Sequence, residues 1–246
     1  MAQGKASGRP DQELKLAEPE TRPTVIKEPQ FQERPTEFIV KDAFVLGAIP
    51  LALAGLTGLA GWTTLGGIFM ALTVFVACFF RNPPRLLPGD ERTVVAPADG
   101  RVLEAGEIEL ADGSKGVQVA IFLSVFNVHV NRAPVAGRVL SIDRSGEKYL
   151  AAFNRAAEQE NVRCDMVLET ENGERVVVTQ ITGLIARRIV CHPQVGDWIA
   201  RGARYGLIRF GSRTDVILPP TAELRVKRGD KVHGGSTVLA QLPRDE

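Results

Sequence analysis

Residues 196–202 have the sequence Gly-Asp-Trp-Ile-Ala-Arg-Gly, and residues 229–235 have the sequence Gly-Asp-Lys-Val-His-Gly-Gly. Both segments follow the pattern Gly-Asp-x-[Ile/Val]-x-x-Gly. Aspartate beside glycine favours a turn, the branched residue suits the start of a strand, and the last glycine permits another sharp reversal. The repeat therefore predicts two turn–strand units. The copies differ at the next residue, which is Ala203 in one and Ser236 in the other.

The chain from Arg81 onward alternates apolar and polar residues in short runs that are separated by Gly, Pro and Asp. This spacing predicts a mainly β domain, of a sandwich- or barrel-like kind, over residues 86–246. One helix is predicted near residues 148–159, because apolar residues recur there at helical spacing. The clearest strand-like runs are residues 100–105, 116–122, 137–142, 175–181 and 205–210.

A long uncharged segment, residues 43–80, precedes this domain. One bilayer crossing needs about 20 apolar residues, and the sequence Gly-Trp-Thr-Thr-Leu-Gly-Gly at 61–67 interrupts the segment. We therefore predict two hydrophobic helices, roughly 43–60 and 65–80, which form a membrane-anchoring hairpin within residues 38–85. Spanning a thin bilayer and dipping into one leaflet both stay open. A buried core hairpin is disfavoured, because the helices show no polar face.

Charge and composition indicate the nature of the N-terminal segment, the side of the membrane and the classes of ligand that are disfavoured. Residues 1–37 carry five prolines and mixed charges, and we predict a disordered tail. Lys41, Arg81 and Arg85 flank the hairpin, which favours the cytoplasmic face of the cell membrane. With 30 basic and 29 acidic residues, no charge excess points to nucleic acid. The cysteine spacing favours neither a disulfide framework nor a metal site, and no metal is predicted.

Ser236 is a candidate nucleophile. Its hydroxyl follows the carbonyl of Gly235, where no Cβ shields the carbonyl carbon. A serine needs a base to attack a peptide bond; His129 is the best candidate, and Asp99 is the natural group to orient its ring. Each residue also has a structural alternative: a β-turn at Gly235–Ser236, a histidine satisfied by backbone groups, and an Asp-Gly turn at Asp99.

Five segments of the chain, in order, resemble the phosphatidylserine decarboxylase proenzymes of the short prokaryotic type. The likeness runs from about residue 38 to the C-terminus. The segments are Phe79-Phe-Arg-Asn-Pro-Pro, Ala96-Pro-Ala-Asp-Gly-Arg-Val, Phe122-Leu-Ser-Val-Phe-Asn-Val-His-Val-Asn-Arg, Gly206-Leu-Ile-Arg-Phe-Gly-Ser and the terminal Gly-Gly-Ser-Thr.

The resemblance implies a pyruvoyl enzyme that converts phosphatidylserine to phosphatidylethanolamine and CO2. It implies self-cleavage between Gly235 and Ser236 into a β chain, residues 1–235, and an α chain, residues 236–246. Asp99 and His129 match the family's processing residues. Long members have two histidines in the pattern His-x-x-His, whereas here Arg132 stands at the second position. His129 would then serve both processing and turnover, or Arg132 would contact substrate.

The implied partners are phosphatidylserine, membrane lipids and the two chains as a heterodimer, with a higher homo-oligomer left open. No role follows from the sequence for His192 or the cysteines, and His233 either tunes local acidity or is a turn residue. A membrane-anchored lipoyl- or biotinyl-like carrier is the main alternative, although no Met-Lys-Met triplet occurs in the sequence. A membrane-bound metallopeptidase is a second alternative, but the sequence lacks the clustered histidines and carboxylates that it would need. Candidate contacts for the anionic headgroup are Arg132, Arg187, Arg188, Arg209 and Arg213.

Overall fold

The computed structural model of the protein describes residues 42–110, 112–154, 156–184, 188–209 and 211–243. The predicted tail, residues 1–37, and Lys41 lie outside these ranges. The described chain begins with two helices, α1 (Asp42–Leu59) and α2 (Thr63–Phe79), that pack against each other. None of the described helices is long and apolar enough to cross a membrane. Many large apolar side chains of both helices are exposed, among them Phe44, Val45, Ile49, Leu56, Leu59 and Ile68.

The rest of the described chain is mainly β, which confirms this part of the predicted fold class. Strands rich in valine and isoleucine form because branched side chains pack well on a pleated surface. The strands are β1 (Thr93–Val95), β2 (Gly100–Glu109), β3 (Lys115–Leu123), β4 (Val130–Arg132), β5 (Gly137–Ser145), β6 (Arg163–Glu169), β7 (Arg175–Thr182), β8 (Ile189–Cys191), β9 (Trp198–Ile199), β10 (Arg204–Ile208), β11 (Ser212–Leu218), β12 (Glu223–Leu224), β13 (Lys231–Val232) and β14 (Val238–Gln241).

These strands form one large curled sheet and two small sheets. The large sheet has the order β13-β2-β3-β11-β7-β6-β5-β9, and the small sheets have the orders β1-β14-β12 and β4-β10-β8. Every pairing is antiparallel. The large sheet ends in the edge strands β13 and β9, so it does not close into a barrel through the described strands.

The strand order repeats itself. We call β1–β3 together with β11–β14 the first unit, and β4–β10 the second unit. In the large sheet, β13-β2-β3-β11 of the first unit corresponds to β9-β5-β6-β7 of the second, and the two small sheets correspond strand for strand. The second unit is therefore inserted between β3 and β11 of the first.

Register and hydrogen bonds support this duplication. Val232 pairs with Gly100 just as Ile199 pairs with Gly137. The N–H of Val102 donates to Asp230 at 2.9 Å, and the equivalent N–H of Val139 donates to Asp197 at 2.8 Å. The sequence also repeats: Ala-Pro-Ala-Asp-Gly-Arg-Val-Leu at 96–103 matches Ala-Pro-Val-Ala-Gly-Arg-Val-Leu at 133–140.

The core lies between the sheets and includes residues of both units, such as Val119, Ile121, Val178, Val216 and Leu239. A second, smaller apolar cluster joins the helices to the small sheet β4-β10-β8. Its members are Ala43, Val76, Phe79, Phe80, Val128, Val130 and Leu207. The helical pair is thus attached to the sheet that carries β4.

The predicted helix at 148–159 is wrong in extent. The structure has one short helix, α3 (Ala157–Glu160), and the residues before it form turns and a bridge between Lys148 and Asn161. The side chain of Asn161 explains the difference, because it bonds to both the N–H and the carbonyl of Leu150 and holds the segment away from helical geometry. Phe153, one of the apolar residues that recur in this segment, is exposed.

Candidate functional site

The turn before Ser236 has a conformation that glycine adopts more readily than other residues. β13 ends at Val232, and the N–H of Ser236 then donates to the carbonyl of His233 at 3.0 Å. Gly235, the third residue of this turn, has a φ of 75°, in the left-handed region. Its N–H donates to the carbonyl of Ala96 at 2.8 Å. The turn therefore holds the Gly235–Ser236 peptide bond at a fixed place beside the end of β1.

The carboxylate of Asp99 lies next to this turn and accepts a hydrogen bond from it. It lies between β1 and β2, and its side chain is 9% exposed. One oxygen accepts the N–H of Gly234 at 2.8 Å, and the guanidinium of Arg85 donates to both oxygens at 3.0 and 2.7 Å. Nδ1 of His233 lies 3.6 Å from Asp99 Oδ2. Three groups thus converge on one nearly buried carboxylate, which fixes its position next to the turn.

Two arginines pack against Gly235. A Cβ at this position would lie 3.0 Å from Cδ of Arg132 and 3.6 Å from Cβ of Arg85. Arg132 is buried at the end of β4, where it donates to the carbonyl of Gly202 at 3.0 Å and to Oδ1 of Asn82 at 2.6 Å. Glycine is therefore favoured at position 235 by the backbone conformation and by the limited space.

His129 lies just before β4 and is buried. Its ring stacks on Phe79 with 4.0 Å between centroids. Nδ1 lies 3.0 Å from the carbonyl of Asn127, and the N–H of Gly211 donates to Nε2 at 3.4 Å. These partners assign a neutral imidazole with its proton on Nδ1. The pKa of His129 is lowered to about 4, mainly by burial; the hydrogen bond to Asn127 opposes this shift, and the positive charge of Arg81 contributes to it.

The structure brings together three of the four residues that the sequence singled out. Asp99, Gly235 and Ser236 share the turn region through the hydrogen bonds given above. Within the described ranges, no hydrogen bond joins His129 to Asp99 or to Ser236, and both ring nitrogens face backbone groups. The assignment of His129 as the base for Ser236 stays a prediction.

The predicted substrate arginines are spread over several parts of the described chain. Arg132 packs against the turn, as described above. Arg209 is half-buried after β10, and its N–H donates to the carbonyl of the exposed Arg188 at 3.2 Å. Arg187 lies outside the described residues. Arg213, in β11, is buried and forms ion pairs with two carboxylates, Asp215 and Glu158.

Two residues near the turn received no firm role from the sequence, namely His233 and Arg85. The sequence indicates Arg85 only as a flank of the hairpin, because its ion pair with Asp99 depends on the fold. A signal for His233 was present, because it precedes Gly-Gly-Ser within the second copy of the repeat. The repeated segments at 96–103 and 133–140 would have shown that this copy also carries Asp99 where the other has alanine.

The arrangement suits acyl transfer within the backbone. A serine hydroxyl follows a peptide carbonyl that is free of Cβ shielding, and a carboxylate and an imidazole lie at the same turn. Nucleophile, imidazole and carboxylate are the groups by which proteins activate a hydroxyl.

Comparison with known proteins points to one family. The sequence profile described as phosphatidylserine decarboxylase matches residues 72–240. A phosphatidylserine decarboxylase proenzyme of Geotalea uraniireducens is 48% identical over 200 residues, which cover 81% of this chain and 92% of the relative. The proenzyme of Geobacter sulfurreducens has the same identity over 201 residues and the same coverage. The proenzyme of Symbiobacterium thermophilum is 46% identical over 201 residues, covering 81% and 93%.

Proposed function

Because the chain belongs to the phosphatidylserine decarboxylase family, we propose that it converts phosphatidylserine to phosphatidylethanolamine and CO2, with a pyruvoyl group made from its own Ser236. The carrier alternative is not favoured, since the matched relatives are named as decarboxylase proenzymes. The observation that carries the proposal is the left-handed Gly235 turn, in which Ser236 follows a carbonyl without Cβ shielding and Gly234 donates its N–H to Asp99.

The proposed cleavage consumes one water. Ser236 Oγ gives its proton to a base and attacks the carbonyl carbon of Gly235. The C–N bond then breaks, the nitrogen takes the proton, and an ester replaces the amide. Loss of the Cα proton of Ser236 expels the Gly235 carboxylate and leaves dehydroalanine. Water converts dehydroalanine to a pyruvoyl group and ammonia, which gives a β chain of residues 1–235 and an α chain of residues 236–246.

The residues of the turn fit this group. A pyruvoyl group replaces Ser236 itself and needs no separate pocket, and Gly235 leaves its carbonyl side without a Cβ. Once formed, the group supplies an electrophilic ketone that binds the serine amine and takes up electrons as CO2 leaves. Arg132 packs on the same turn, so its positive charge lies close to where an anionic headgroup would enter. We include Arg209 and Arg213 as weaker candidates for that contact.

His129 is the proposed proton donor to the substrate carbon. It precedes β4, whose last residue, Arg132, contacts the turn. Its imidazole is neutral at neutral pH in the free protein, because its pKa is about 4. A phosphate or carboxylate that enters beside a buried imidazole stabilises the protonated form and raises its pKa. Substrate binding that displaces the long Gly211 N–H contact from Nε2 would therefore charge His129 when a proton has to be delivered.

The helices α1 and α2 are the proposed membrane anchor. They expose many large apolar side chains and pack on the sheet that carries β4. The acyl chains of the substrate remain in the bilayer, so an anchor of this kind brings the site to the headgroup. We propose that residues 38–85 hold the catalytic domain, residues 86–246, on the cytoplasmic face of the cell membrane.

Intact-mass measurement of purified protein tests the proposal. We expect two chains, with the C-terminal one lighter by one ammonia than a peptide of residues 236–246 that begins with serine. Ser236→Ala should stay uncleaved and inactive yet still sediment with vesicles that contain phosphatidylserine, since anchoring and chemistry use separate segments. Ser141→Ala, in β5, is the matched control and should cleave normally. An active, uncleaved wild-type chain would contradict the proposal, and loss of sedimentation would contradict the anchor.

A further inference from the structure

The two units share a turn but differ in its chemistry. The turns at 200–203 and 233–236 follow equivalent strands, β9 and β13, and each has a glycine in the left-handed region at its third position. Among the positions that differ next to the turn, three pairs have a carboxylate, an imidazole or a hydroxyl in the first unit and alanine in the second. These pairs are Asp99 and Ala136, His233 and Ala200, and Ser236 and Ala203.

We propose that His233 accepts the proton of the Ser236 hydroxyl in the first step of self-cleavage, and that Asp99 orients its imidazole. This inference rests on the proposed self-cleavage and names the group that begins it. The second unit acts as an internal reference: it keeps the backbone of the turn and has alanine at all three positions where the first unit has carboxylate, imidazole and hydroxyl.

The contacts of His233 support this role. Its Nδ1 lies 3.6 Å from Asp99 Oδ2, which is slightly longer than a hydrogen bond. Such contacts are often long before the reacting geometry forms. A carboxylate at Nδ1 directs the proton to that nitrogen and leaves Nε2 as the acceptor. His233 and Ser236 are the first and fourth residues of one turn, so their Cα atoms are within about 7 Å of each other.

The backbone around His233 is also fixed. Its carbonyl accepts the N–H groups of Ser236 and Thr237, both at 3.0 Å, and its own N–H donates to Oγ1 of Thr237 at 2.9 Å. The next residue, Gly234, donates to Asp99 at 2.8 Å. The imidazole therefore moves only by side-chain rotation, between the Asp99 carboxylate and the turn.

His129 differs from His233 in access. Both of its ring nitrogens face backbone groups, and its ring is buried against Phe79. The side chain of His233 is 61% exposed and is held on one side by the Asp99 carboxylate. A base for Ser236 has to reach the hydroxyl by rotation of a side chain, and the exposed side chain of His233 can rotate without disturbing the core.

The proposed step balances within the chain. The Ser236 hydroxyl proton moves to Nε2 of His233 as Oγ bonds to the carbonyl carbon of Gly235. The resulting imidazolium returns this proton to the nitrogen of Ser236 as the C–N bond breaks, so His233 ends the ester-forming step neutral. Asp99 stays ionised and stabilises the imidazolium during the exchange.

The rate of chain cleavage tests the inference. Newly synthesised protein is followed by intact mass for the wild type, His233→Ala and His129→Ala. We expect His233→Ala to cleave about 10²- to 10⁴-fold more slowly, which is the usual contribution of a general base. Because the side chain of His233 is exposed, added imidazole should reach the vacated space and restore a large part of the rate. An unchanged circular dichroism melting curve would show that the variant folds.

The outcomes separate this inference from the function itself. Wild-type cleavage with slow, imidazole-rescued cleavage of His233→Ala supports both. Wild-type rates in His233→Ala, or slow cleavage that imidazole does not restore, overturn the role of His233 and leave the proposed function standing. Loss of cleavage confined to His129→Ala likewise overturns it in favour of His129. An active wild-type chain that is never cleaved overturns both.

Discussion

The turns at 200–203 and 233–236 have nearly the same backbone conformation and the same backbone hydrogen bonds. The N–H of Ala203 donates to Ala200 at 3.1 Å, and the N–H of Ser236 donates to His233 at 3.0 Å. The glycines at the third positions have φ values of 76° and 75°, and each donates its N–H to the first alanine of an Ala-Pro segment at 2.8 Å. Backbone shape therefore does not distinguish the turn at 200–203 from the turn at which we propose cleavage.

The two turns also touch a common side chain. Arg132 donates to the carbonyl of Gly202 in one turn and packs its Cδ against Gly235 of the other. The differences include three side chains: Ala136, Ala200 and Ala203 at the first turn correspond to Asp99, His233 and Ser236 at the second. The comparison shows one backbone geometry in both units, with the proposed chemistry depending on these three residues.

The largest expected effect comes from Asp99→Ala, which gives the first unit the residue that the second has at Ala136. Cleavage at 235/236 should slow by about 10²- to 10⁴-fold, because the imidazole loses its orienting group and the Gly234 N–H loses its acceptor. Cleavage rates from intact mass measure this. Asp143→Ala, an exposed carboxylate in β5, is the control, and equal rates for both variants would break the comparison.

His129, just before the first strand of the second unit, should make the free energy of unfolding depend on pH, and this is the prediction of intermediate size. The pKa of His129 is about 4 in the folded protein and about 6.5 when unfolded. The unfolded chain therefore binds more protons between these values, and stability falls as pH drops from 6.5 to 4. The loss is on the order of 3 kcal/mol. Urea unfolding of Ser236→Ala, which stays one chain, measures this loss.

The His129→Gln change in the same background isolates this contribution. It should flatten the pH dependence of the free energy of unfolding between pH 6.5 and 4. The matched change His192→Gln, at an exposed position, should leave the dependence as it was. Identical curves for both variants would remove His129 as the source of the effect.

The smallest expected effect comes from Ala203→Ser. This change gives the second unit a serine after a left-handed glycine, without an equivalent of Asp99 or His233. We expect no cleavage between residues 202 and 203 and a change in stability within about 1 kcal/mol, since only one small hydroxyl is added. Mass spectrometry of the chain decides this. A fragment that begins at residue 203 would show that the turn and a serine are sufficient.

The sequence predicted the strands well because alternation and turn residues are local signals. Residues 100–105 and 116–122 lie in β2 and β3 as expected. The helix near 148–159 was overextended, because the tertiary contacts of Asn161 outweigh a local apolar stripe. Spacing also could not show that Arg85 reaches Asp99 or that His233 lies nearer to it than His129, since these contacts arise from strands that pair across most of the chain.

The strand β14 holds the C-terminal segment within the core of the protein. This strand is the middle one of its small sheet, between β1 and β12, and Leu239, Ala240 and Leu242 are buried in the main core. If the chain is cut at Ser236, a peptide of residues 236–246 stays in place only through non-covalent packing. Denaturation would separate this peptide from the rest of the protein, and refolding would then require the two chains to meet again in a bimolecular step. Maturation would thus make assembly a one-way process, since the mature protein could not regain its starting connectivity.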